Sequence, residues 1–161
     1  MQSALSQLTS RPGEKVLVYG IGNVGRQDDG LGVRLVERLE EAGFSDAVTL
    51  EANYQLNVED ALLISEYDLV IFADASVEEV APFSVRPVMP EPHFGFSSHA
   101  LNMSGVLSLC NELYGRKPRT FLLEIPGYEW EIKETLSEKA QSNLENAFLS
   151  LKEALPCTKS R

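Results

Sequence analysis

Cysteine and histidine are scarce in this chain: two of each occur in 161 residues. Cys110 lies in an apolar helical stretch and Cys157 in a polar tail. Neither makes a metal-type spacing, and a disulfide framework is not expected. Positive charge is also short, with 14 basic residues against 24 acidic and a net charge of −10. Without a dense Lys/Arg face, binding to nucleic acid or to an anionic membrane is not expected. No apolar run approaches the roughly 20 residues that span a bilayer. The start, MQSALSQLTSRPGEK, lacks the basic-then-apolar order of a secretory signal. A reduced, cytoplasmic monomer is the expectation. There are no repeats and no low-complexity segments.

What is present reads as one α/β domain. Residues 1–14 are polar and end in Arg-Pro-Gly, which predicts a flexible arm. Residues 15–155 form the domain, and 156–161 a frayed tail. KVLVYG is a short β-rich run closed by glycine. From Leu31 the apolar period becomes 3.6, with Leu31, Leu35, Val36 and Leu39 on one face, and Gly43 ends that helix. AVTLE is a second strand, and NVEDALLISEY a second helix with Asn57 as N-cap. DLVIFADAS is the strongest strand, and its apolar run predicts helices on both faces. PFSVRPV (82–88) reads as an edge strand flanked by prolines. A helix is expected over 99–114, followed by the strand TFLLEI. IPGYEWEI should be a turn followed by alternation, and Ser137 should cap a last helix. This order predicts a single-domain, three-layer α/β/α fold around a twisted, largely parallel, mixed sheet of about five strands. Strand one should lie beside strands two and three, opening a crevice at their carboxyl ends.

Two acidic loops, GIGNVGRQDDG and ADAS, meet at that crevice. The glycines Gly20, Gly22 and Gly25 have the G-x-G-x-x-G spacing of a dinucleotide loop, and Glu51 could be the ribose acid. Against that reading, the helical period begins only at Leu31, so these glycines stand away from the helix end that would hold a pyrophosphate. Asp28 and Asp29 occupy that end instead, where they would repel one. Asp28 can be a helix cap alone; a second adjacent acid is more than a cap needs. Asp74 closes the central strand. His93 lies in a Pro-rich, solvated loop, while His99 opens the next helix. Asp29, Asp74 and His99 together would make a borderline metal site with open positions, suited to Zn²⁺, Ni²⁺ or Fe²⁺. Tyr128, Trp130, Phe94 and Phe96 are either core or an apolar docking rim.

The combination of G-I-G-N followed by D-D-G-x-G after strand one, A-D-A closing the central strand and S-H before the next helix resembles the hydrogenase maturation endopeptidases. The similarity runs from about Lys15 to Phe148. In the block after strand two the chain departs from the family, carrying Glu51-Ala52-Asn53-Tyr54 in place of a glycine-rich turn. The resemblance implies an endopeptidase, aspartyl-type in its use of carboxylates. It would remove the C-terminal extension of a [NiFe] hydrogenase large-subunit precursor after nickel insertion. It implies Asp29, Asp74 and His99 as the metal contacts and catalytic candidates. The metal would be the substrate's nickel, with Zn or Cd as surrogates, and no cofactor would be permanently bound. A Rossmann-like dinucleotide module and a non-catalytic nickel-binding accessory protein are the alternatives.

Overall fold

The computed structural model describes residues 8–44, 47–78, 81–91 and 102–156. Five strands form one sheet: β1 (Val16–Ile21), β2 (Thr49–Asn53), β3 (Leu69–Ser76), β4 (Ser84–Pro87) and β5 (Arg119–Pro126). Their order is β2-β1-β3-β5-β4. Four strands are parallel, and β4 pairs antiparallel with β5 at one edge. The helices are α1 (Leu31–Glu41), α2 (Asp60–Ile64), α3 (Met103–Tyr114) and α4 (Glu138–Ala154). The expected mixed sheet is therefore present, with strand one between strands two and three. No helix among the described residues is long and apolar enough to cross a membrane.

Strand alternation divides the core into two. Val16, Val18, Leu69, Ile71, Phe121 and Leu123 pack with α1 and α4 on one face. Leu17, Tyr19, Val70, Phe72 and Leu122 pack with α2 and α3 on the other. Helices on both faces explain why β1 and β3 are apolar without interruption. Arg38 of α1 joins the first layer together: its guanidinium lies 3.8 Å from the Phe148 ring centre and bonds Glu145.

Four expectations about the elements need correction. Residues 8–14 are not a loose arm: Leu8 is fully buried, Ser10 N–H donates to the Ala154 carbonyl, and Glu14 pairs with Arg119 at 2.9 Å. Residues 1–7 and 157–161, including Cys157, lie outside the described residues. Asn57 does not cap α2; the helix follows Glu59, and the Asn57 N–H instead donates to the Asp60 carboxylate. That buried carboxylate also takes the Tyr19 hydroxyl, so the apolar core chose a different polar anchor. Helix α3 begins at Met103, because the Asn102 side chain accepts the Gly105 N–H and fixes the start there. The loop from 127 to 136 forms no strand; its backbone bonds are taken by side chains from another loop.

The start of α1 lies directly on the sheet. A Cβ on Gly32 would run into the carbonyl oxygens of Ala73 and Ile21, and one on Gly20 into the carbonyl of Gly32. Glycine at both places lets the helix start approach the ends of β1 and β3. Gly32→Ala should lose about 1–3 kcal/mol, because backbone cannot yield as a flexible side chain does. Denaturant unfolding checks this, and a wild-type midpoint would contradict it.

Candidate functional site

The site begins where β1 stops. After Ile21 the chain makes two short 3₁₀ turns over Val24–Gly30, broken at Arg26 and Gln27. Gln27 sits at φ 49°, ψ −116°, a region that favours glycine. The break turns two adjacent aspartates to different duties. Asp28 is wholly buried, while Asp29 is half-exposed.

Asp28 is not a cap for the helix that follows it. Gly30 occupies that position and makes no side-chain bond. Asp28 instead reaches across to the loop after β5. Its Oδ2 accepts the Tyr128 N–H at 2.8 Å, the Glu129 N–H at 3.0 Å and the Ser137 hydroxyl at 2.7 Å. Its Oδ1 accepts the Ser137 N–H at 2.9 Å. Ser137 is the N-cap of α4, so the carboxylate also stands at the positive end of that helix. Burial alone would push the Asp28 carboxyl up, but the bonds from Tyr128, Ser137 and Glu129 outweigh it and hold it below its ordinary value.

Asp74 lies across the crevice, at the end of β3. Strand alternation gives it the same face as Val70 and Phe72. Its Oδ1 accepts the N–H of Ala75. Burial pushes its carboxyl up; the Ala75 N–H pulls it down, and the charges of Asp29 and Glu124 push it up again, to about 7. The backbone contact of Gly32 with Ala73 brings the start of α1, just after Asp29, against β3 next to Asp74. Glu124 is a third carboxylate that the sequence reading did not single out. It stands directly beside Asp74 in the parallel β3–β5 register, with Arg86 at 3.7 Å. It was legible only as the one acid in the apolar run TFLLEI. No group of three metal-type side chains occurs among the described residues. His93, His99, Phe94 and Phe96 lie outside them. Tyr128 packs half-buried against the core, and its hydroxyl takes a bond from Asn143, whereas Trp130 is half-buried near Gly127.

The glycine loop is not arranged for pyrophosphate. A Cβ on Gly22 would collide with the Asp29 carbonyl, and Asn23 N–H donates to that same oxygen. The glycines admit the chain's own backbone, and Glu51 is exposed on the outer strand β2.

No protein-family model matches the chain, and no curated protein matches it at a significant level. Solved structures do match. The [NiFe] hydrogenase maturation protease HycI of Thermococcus kodakarensis aligns with a TM-score of 0.71 and 26% identity, over 89% of this chain and 94% of that one. At 26% identity the chain resembles that protease in sequence as well as in fold. Its fold is shared by the Escherichia coli hydrogenase maturating endopeptidase HybD, with a TM-score of 0.68, 24% identity and coverage of 87% and 91%. The hydrogenase 2 maturation peptidase of a Thaumarchaeota archaeon matches at 0.64 and 22%, covering 87% and 97%.

Two pH effects of opposite sign follow for this protein. The depressed Asp28 contributes stability that is complete above the ordinary carboxylate value of 3.8 and is lost as pH falls through its folded value. Asp28→Asn should cost about 1.5–3 kcal/mol at pH 7 and less in acid. The raised Asp74 acts in reverse: between 3.8 and about 7 the folded state holds a proton that the unfolded state has lost, so stability falls as pH rises. Asp74→Asn should stabilise above pH 7, on the order of 1–2 kcal/mol, because solvent screens part of the charge. Urea unfolding across pH 2–8 checks both, the Asp28 effect appearing below about 4 and the Asp74 effect between about 4 and 7, and parallel profiles for wild type and variants over those ranges would contradict them.

Proposed function

We propose that the protein removes the C-terminal extension of a [NiFe] hydrogenase large-subunit precursor once nickel has been inserted, and that it recognises the nickel itself. The observation that carries this reading is the acid pair at the crevice. The Asp74 carboxyl is raised by burial and by the negative charges of Asp29 and Glu124, against the lowering effect of the Ala75 N–H. A cation brought by a partner would relieve that conflict. The nickel arrives as part of the substrate, so the two carboxylates need hold no resident metal.

His99 is the third proposed contact. It precedes Asn102, which opens α3, by three residues in the sequence. Helix α3 leads through a short connection into the parallel strand β5, which directs its N-terminus toward the carboxyl edge of the sheet. Asp74 ends on that edge. An imidazole and two carboxylates suit Ni²⁺ with positions left for the precursor's own ligands. Once nickel offsets the neighbouring negative charge, Asp74 or Asp29 serves as general base toward water at the adjacent peptide bond.

Incubation with nickel-loaded precursor should shorten the large subunit by a C-terminal fragment, read by mass spectrometry, and nickel-free precursor should stay intact. Asp29→Ala, Asp74→Ala and His99→Ala should each lower processing by about 10²–10⁴-fold with an unchanged circular dichroism spectrum. Binding of the nickel-loaded precursor without cleavage would favour an accessory role instead, and full activity in all three variants would end the proposal.

A further inference from the structure

The strained residue beside Asp29 has a side chain that the reaction does not explain. Gln27 is 3% exposed, unusually deep for a glutamine in a surface loop. Its backbone N–H donates to the Lys133 carbonyl at 2.8 Å. Its Oε1 accepts the Glu131 N–H at 3.0 Å. Its Nε2 donates to the Thr135 carbonyl and to Glu129 Oε1, each at 3.3 Å. All four bonds go to the loop after β5, the same loop that Asp28 holds. A non-glycine residue at φ 49°, ψ −116° costs of order 1–3 kcal/mol and persists only where its surroundings enforce it. Here the surroundings are those four bonds.

The geometry points to Gln27 as a positioning residue for Asp29, acting through the turn that its locked backbone imposes. The logic is one of torsions. Asp28 must enter the core and Asp29 must leave it, within one residue. The break at Arg26–Gln27 sets the direction in which the chain enters the Asp28–Asp29 pair, and α1, which the glycine contacts fix against the sheet, begins just after that pair at Leu31. Asp29 is thus held from both sides, by α1 after it and by the Gln27 clamp before it. Releasing the clamp lets the turn relax toward ordinary angles, and the Asp29 carboxylate loses its fixed bearing on Asp74. An error of about 1 Å there would lower the rate about a hundredfold or less, without abolishing binding. This role rests on the proposed function only for its kinetic consequence; the orientation of Asp29 is a property of the free protein.

The test uses Gln27→Gly, which tolerates the angle but removes the three side-chain bonds, and Gln27→Glu, which keeps the shape and turns the amide donor into an acceptor facing Glu129. In the free protein, carboxyl ¹³C NMR should show the Asp29 signal shifted or broadened in both variants, with the Asp74 signal less affected. With nickel-loaded precursor, kcat should fall about tenfold or more while KM stays within about twofold. An Asp29 signal identical to wild type in a folded Gln27→Gly protein overturns the inference whatever the rate does. If the wild-type protein cuts no precursor, the functional reading fails and the carboxyl signal alone decides this one.

Discussion

One buried carboxylate organises this end of the molecule. An ionised group taken out of water is costly unless its lone pairs are satisfied. Asp28 meets that requirement with four donors from a segment 100 or more residues away. No cation takes part in those four bonds. Because Asp28 must stay charged to accept them all, and buried to reach them, the direction of its neighbour is decided as well. Asp29, next to it, stays half-exposed. The pairing also explains an otherwise irregular loop: residues 127–136 make no strand, yet their amides and carbonyls are bonded to Gln27 and Asp28.

The other constraint is close backbone approach. Helix α1 can start on the ends of β1 and β3 only because Gly20 and Gly32 carry no side chain. This brings the Asp29 loop to the end of the central strand, where Asp74 stands beside Glu124. Like charges and partial burial make that place unfavourable, and the raised Asp74 carboxyl is its signature. Sites that store such conflict are retained for what they do with it, at some expense to stability. Here a visiting cation would remove the conflict, so recognition and relief are the same event.

Much of this was legible in the sequence, and the limits have physical causes. The uninterrupted apolar runs of β1 and β3, the 3.6 period from Leu31 and the Ser137 cap led correctly to a mixed sheet between helix layers. The adjacency of β1 and β3, whose carboxyl ends lead into the Asp29 loop and carry Asp74, followed from strand order alone. Asp28 was misread because a carboxylate before a helix ordinarily caps that helix, while its actual partners are remote in sequence. Gln27 gave no signal, since nothing local marks a residue whose angle is enforced by long-range bonds. Glu124 was hidden in an apolar strand, and only the parallel register with β3 gives it meaning. The arm over residues 8–14 looked polar, but Leu8 and the Glu14–Arg119 pair fasten it.

Everything functional depends on Asp29 and Asp74 being able to hold one ion between them. Crystals grown with nickel, measured on both sides of its absorption edge, test this without any precursor. The account predicts an anomalous peak at the carboxyl ends of β1 and β3, within coordination distance of both carboxylates at about 2.0–2.2 Å. A peak bound elsewhere, or the two side chains fixed too far apart to share a single ion, would contradict it.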